Sequence, residues 1–350
     1  YDSFHTFWND MKEIKTYAGL ASILIMAIGF QCCTRSAAPG DENGFPKLTG
    51  PFMGQNPPGD SAVLFMPGII STGLYTRDMA IMPDGREIYF CVSSMGYNLI
   101  FYTRQQDGYW TEPEPAPFIT DYQYMYYEPC ISGDGQKLMF LSNMPMDEGG
   151  ETGNQDIWVV DRNGAGWGRP YNLGPPVNSE NAEFFPSLTD DGTLYFTRQE
   201  MGSPENFIYR SRWVNGQYTT PEKMGPEVNC GTNRFNACIA RDESYIIVPA
   251  VGMSDGFGGA DYYVVFRNED DTWSPPFNLG PGINNATGSE WSPYISPDGQ
   301  YFFFMASKRP EKLPENLTIQ YFRDHLDVPQ NGNADIYWVH AGFIQSLRPG

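Results

Sequence analysis

Asp78, Glu128, Glu183 and Glu290, together with Arg234 and Asn236, are the side chains whose types and spacing could do chemistry in this 350-residue sequence. They lie in, or immediately before, copies of one phrase that returns about every fifty residues. The copies are RDMAIMPDGREIYF (77–90), YEPCISGDGQKLMF (127–140), FFPSLTDDGTLYFT (184–197), FNACIARDESYIIV (235–248) and WSPYISPDGQYFFF (291–304). With Met79, Pro129, Pro186, Ala237 and Pro293 as the reference column, the residues one before are Asp78, Glu128, Phe185, Asn236 and Ser292. Those three before are Thr76, Tyr126, Glu183, Arg234 and Glu290. Residues two apart share one side of an extended strand, so these two columns are expected to line a common space, with carboxylates ringed around an arginine. Two readings are open. Paired carboxylates could act as acid and base on a glycosidic bond, or Glu183 and Glu290 could flank Arg234 as an ion-pair cluster that closes the space. The opposite parity holds Arg77, Tyr127, Phe184, Phe235 and Trp291, with Ile or Leu four residues further on. That side is expected to pack between neighbouring units.

The elements that position these residues are strands. In each copy a turn joins two runs of β-formers, and Asp-Gly supplies the positive φ of a tight hairpin; the fourth copy has Asp242-Glu243 instead and is expected to turn more loosely. A third run follows as NLIFYTR (98–104), DIWVVDR (156–162), NFIYRSR (206–212), DYYVVFR (261–267) and DIYWVH (335–340). A fourth element reads GRPYNLGPPVNS (168–179), TPEKMGPEVNC (220–230) and SPPFNLGPGINN (274–285), with TEPEPAPF (111–118) as a degenerate copy. Four strands repeated five times describe an all-β fold, a single β-propeller of five four-stranded blades. The last unit lacks its fourth element, while FMPGIIST (65–72) matches that element and precedes the first hairpin. An N-terminal strand at 65–72 is therefore expected to close the ring and cover its edge.

The Pro-Asp-Gly hairpin followed by Asp-Ile-Tyr/Trp resembles the WD-like, PD-type repeat of TolB-like propellers over about residues 60–350. That repeat is frequent in bacterial envelope proteins and in the propellers of some peptidases, so the resemblance implies a propeller and an envelope setting. It is specific for fold and says little about function.

No nucleophilic triad can be assembled, because after residue 33 only His325 and His340 remain and neither occupies a repeated column. Cys130 and Cys238 share a column with Ala80 and Ser187 and read as small packing residues; Cys91 and Cys230 lack a discernible partner. No spacing suggests zinc, no cofactor is implied, and the acidic loops 146–156 and 254–261 lack the EF-hand spacing, which leaves solvated loops or calcium as alternatives. The longest interruption, 307–334, carries Lys308, Arg309, Lys312 and Arg323 with Tyr321 and Phe322, and is either a binding element or a decoration.

Met11-Lys12-Glu13-Ile14-Lys15 precedes an apolar run, Tyr17 to Phe30, that ends at Cys32-Cys33. This is the layout of a signal peptide over 11–33, and a cysteine there resembles the lipobox of bacterial lipoproteins, with Cys32 or Cys33 as the lipidated residue. Residues 1–10 read as an upstream extension, 34–59 as a flexible Gly/Pro-rich tether, and 60–350 as the propeller. A net charge of −20 argues against nucleic acid as a partner and leaves a lipid anchor as the contact with membrane. The sequence thus supports an envelope-anchored binding or scaffolding propeller with an envelope protein or a glycan as partner. The alternative is a carbohydrate-active enzyme, a glycoside hydrolase or lyase, with acids among Asp78, Glu128, Glu183 and Glu290.

Overall fold

Each copy of the repeated phrase folds as the inner hairpin of an antiparallel sheet. In the first, the Met82 N–H donates to the Glu87 carbonyl at 2.9 Å and the Gly85 N–H to the Met82 carbonyl at 2.8 Å, with Gly85 at φ 70°. The fourth copy makes the same turn, not a looser one: Ala240 bonds Tyr245 and Glu243 bonds Ala240 in the same pattern, and Glu243 takes φ 61°. A non-glycine residue there costs about 1 kcal/mol. Hydrogen bonding of the Glu243 side chain by Tyr195 Oη, at 2.7 Å, and an ion pair with Arg267 offset that cost.

The computed structural model describes residues 44–146, 150–285, 290–309 and 316–349. Cys32, Cys33 and Lys312 lie outside them, as does part of the acidic loop 146–156. Five antiparallel sheets form five blades. Blade 1 comprises Tyr75–Ile81, Glu87–Ser94, Tyr97–Gln106 and Glu114–Pro115. Blade 2 comprises Tyr126–Ile131, Lys137–Ser142, Asp156–Asn163 and Tyr171–Asn172. Blade 3 is Ala182–Leu188, Leu194–Gln199, Asn206–Ser211 and Glu222–Lys223. In blade 4 the inner strand is split into Asn233–Arg234 and Cys238–Ile239, followed by Tyr245–Val251, Ala260–Phe266 and Phe277–Asn278. Blade 5 is Tyr294–Ile295, Tyr301–Ser307 and Ala334–His340, and its outer strand is Val63–Leu64 from the other end of the chain.

Ring closure therefore occurs through an N-terminal strand, two residues ahead of the expected one. Val63 and Leu64 pair with Trp338 and Tyr337, and the Phe65 N–H donates to the Ile336 carbonyl. Residues 66–71 form the turn that follows, in which Ser71 Oγ donates to the Ile336 carbonyl and accepts from its N–H. Asn178, Asn229 and Asn284 do the same for Ile157, Ile208 and Tyr262. This clamp explains the recurring Val-Asn or Ile-Asn of the fourth element: a side-chain amide satisfies one donor and one acceptor of the neighbouring strand where the short outer strand cannot.

Each junction between neighbouring blades holds an apolar cluster. The junction of blades 5 and 1 also takes in residues expected to be tether. Met53 is buried, the Phe52 ring packs at a tilt against Trp338 with centroids 5.0 Å apart, and the Gly50 carbonyl accepts from Trp110 Nε1. The segment from Leu48 onward is thus packed against the propeller. Among the described residues no helix is long and apolar enough to cross a membrane.

Candidate functional site

The inner strands of blades 1 to 4 each carry one extra residue. In blade 1, Arg77 pairs with Cys91 and Met79 with Phe90, which leaves Asp78 unpaired; the same slip occurs between Tyr127 and Cys130 and between Phe184 and Ser187. The residues one before the reference column sit in left-handed backbone: Asp78 at φ 56°, Glu128 at 59°, Phe185 at 52° and Asn236 at 52°. A bulge with such a residue re-aims the side chains on either side of it, and four strained positions in one column mark a place the fold holds deliberately.

The re-aiming corrects the expected channel lining. Column-minus-one residues do converge at the axis. Asp78 accepts from Ser292 Oγ at 2.5 Å, Glu128 accepts from the Phe185 N–H at 2.7 Å, and Asn236 Nδ2 reaches Glu128 at 3.5 Å. Column-minus-three residues do not join them. Glu183 pairs with Arg198 at 2.7 Å and accepts from Ser179. Arg234 pairs with Glu205 at 3.1 Å and donates to the carbonyls of Cys230, Gly231 and Asn206. Glu290 accepts from the side chain of Asn285. Glu183 and Glu290 thus brace the entry to their own blades, Arg234 ties the entry of blade 4 to blade 3, and the expected Glu183–Arg234–Glu290 cluster does not form because each of the three is engaged by its local loop.

The arginine among carboxylates is Arg77. Its Nε contacts Asp78 at 3.0 Å and its Nη2 contacts Glu128 at 2.9 Å, while its guanidinium lies over the Tyr127 ring. Burial disfavours the Arg77 charge, but Asp78 and Glu128 more than offset this and keep it protonated. Burial also pushes the Glu128 carboxyl up to about 7, opposed by Arg77 and reinforced by Asp78. Above this cluster, Arg77, Tyr127, Phe184, Phe235 and Trp291, one from each blade, line a funnel of about 350 Å³. Phe235 and Trp291 meet edge to face at 5.9 Å. Below it the channel narrows to a space of about 40 Å³ whose lining includes Cys130, Cys238 and Arg241. The site is an aromatic-walled funnel whose floor sets one arginine against two carboxylates.

Strand parity alone assigns the four aromatic walls, Tyr127, Phe184, Phe235 and Trp291, to packing between blades. The signal for the bulge was present in the reference column itself: proline lacks the N–H that a ladder needs, so Pro129, Pro186 and Pro293 in a strand mark an irregularity. Other expectations concern metals and cysteines. Cys91, Cys130, Cys230 and Cys238 are free thiols. Among the described residues no group of three or more His, Cys, Asp or Glu side chains is arranged to hold a metal ion.

Comparison with protein-family models finds no match, and comparison with curated proteins finds none either. Among solved structures the chain is similar to TolB from Acinetobacter baumannii, at 16% identity and a TM-score of 0.43, over 77% of this chain and 57% of that one. It is equally similar to an Agrobacterium tumefaciens protein assigned as TolB, with 16% identity and 0.43 over 76% and 90%. A puromycin-hydrolyzing peptidase from Mycobacterium tuberculosis follows at 14% and 0.39, over 69% of this chain and 36% of that one. The chain thus spans little more than half the length of the Acinetobacter protein. The likeness is a distant one in propeller architecture, which the strand pairing of this chain establishes independently.

Proposed function

We propose that this protein is a non-catalytic binding propeller of the bacterial envelope, which takes a protein or glycan ligand into the aromatic funnel and is tethered through Cys32 or Cys33. The observation that carries the binding reading is Arg77 bridging Asp78 and Glu128. A general acid and its partner need carboxyl groups open to substrate; here both are at most 5% exposed and their oxygens are engaged by Arg77, Ser292 and backbone N–H groups. Arg77 Nη1, used by neither carboxylate, is left for an acceptor on a ligand, and the four rings offer apolar faces beside it.

Capture from detergent-solubilised envelopes, run beside a glycan array, tests this. The mature chain should retain a ligand that the Phe235→Ala/Trp291→Ala variant binds at least about tenfold more weakly. Turnover of a polysaccharide that disappears in Glu128→Gln, with stability unaltered, would instead establish the enzyme.

The anchor rests on the sequence of residues 11–33. Replacing Cys32 and Cys33 by Ser should abolish labelling by a fatty-acid analogue and move the protein from the detergent to the aqueous phase; identical partitioning would rule the anchor out.

A further inference from the structure

The connection between the second and third strands of every blade ends in an exposed apolar side chain: Met95, Met146, Met201, Phe257 and Phe322 in blades 1 to 5. The exposures run from 43% for Phe257 to 90% for Met95. These connections all open on the funnel side. In blade 1, Tyr75 at the start of the inner strand pairs with Ser93, next to the Ser94–Tyr97 turn; Tyr126 with Ser142, Ala182 with Gln199 and Asn233 with Val251 repeat the arrangement. The fifth connection adds a short helix, Ile319–Asp324, capped by Thr318, with Leu317, Ile319 and Leu326 also exposed. Scattered apolar residues on a surface need no explanation, but one on each of five connections around one mouth does.

We propose that this face docks a segment of a partner protein that is amphipathic, apolar at its centre and basic at its flanks, with the funnel taking the central apolar side chain. The proposal rests on the reading of the funnel as the binding site and names its partner. Thioether and phenyl tips have no strong donor or acceptor for sugar hydroxyls, whereas unbranched methionines repack around apolar side chains of varied shape. Charge sets the rest of the partner. Exposed acids on this face are Glu151, Glu180, Asp255, Asp324 and Asp327, against Arg309 and Arg323 among its exposed bases. The whole chain carries −20. A basic flank is therefore attracted to the rim. A cation directed down the axis would meet the Arg77 guanidinium, so the centre of the segment carries no positive charge, and the rings of Tyr127, Phe184, Phe235 and Trp291 favour an apolar side chain there.

The test uses the full chain and three fluorescent synthetic helices of about five turns, one of Lys and Leu with a central Phe, one with Glu for Lys, and one with Ser for Leu. Anisotropy is read at about 150 mM salt. The Lys/Leu peptide should bind and the other two should not. A Met95→Ser/Met201→Ser/Phe257→Ser variant, altered only at exposed tips, should keep its melting temperature and lose affinity at least about tenfold. Equal affinity of that variant, equal binding of the Lys/Ser or Glu/Leu peptide, or no binding of the Lys/Leu peptide overturns the proposal. So does a neutral glycan that binds in a Trp291-dependent way while no peptide does, an outcome that leaves the funnel reading intact. Peptide binding that is lost in the Ser variant yet survives Trp291→Ala upholds the docking face and removes the funnel from it.

Discussion

Arg77 holds two buried carboxylates that would otherwise repel each other without a counterion. Replacing it by Met leaves Asp78 and Glu128 uncompensated, which should cost about 3 kcal/mol or more, as breaking buried ion pairs does. Glu128→Gln in the same background should recover part of the loss, because one of the two like charges is gone. Equilibrium denaturation of the two single variants and the double variant measures this, and additive losses would mean that the charges are not coupled. Glu128 adds a pH dependence of definite sign. Its carboxyl sits near 4.5 ordinarily and near 7 in the fold, so the folded state holds the proton more tightly. Stability therefore falls as the pH rises through that interval, and the fall should flatten in Glu128→Gln. At this scale the sequence was half legible. Asp78, Glu128 and Asn236 fell in the right column because residues on a common strand repeat with the hairpin. Arg77 and the aromatic walls did not, because a one-residue bulge reverses every side chain on one side of it.

At the scale of elements, hairpins were readable wherever a short-range rule fixes them. The third β-runs of all five blades and the Asp-Gly turns of four are such cases, while the Asp242-Glu243 turn of blade 4 takes the same form without the glycine. Elements held by tertiary packing were not. Phe52 and Met53 sit in a Gly/Pro-rich stretch that composition marks as linker, yet they close the junction of blades 5 and 1 against Trp338 and Phe65. The closing strand was displaced by two residues for a related reason: 65–72 matches the turn after the strand, and the two residues that pair are too few to carry a pattern. The consequence is testable by thermal unfolding. Phe65 is fully buried against Phe303 and Trp338, so Phe65→Ala should cost about 3 kcal/mol or more and lower the melting temperature by several degrees. Deleting residues 60–72 should lower it further, since blade 5 then presents an unpaired edge. Melting curves that coincide with the wild type would remove the closing role from this segment.

Across the whole molecule the two faces differ. One bears the funnel, the apolar tips and the blade 5 insertion; the other bears the Asp-Gly turns and the hairpins that display Trp213 and Tyr109. The account asks a ligand to enter by the first face and reach the axis. Its central claim is tested most directly by placing a photo-crosslinking phenylalanine analogue at Phe235, inside the funnel, and separately at Trp213, on the opposite face, then irradiating intact envelopes. An adduct that forms from position 235, and is absent from position 213, is the predicted result. Adducts from position 213 alone, or equally from both, would contradict a ligand site in the funnel.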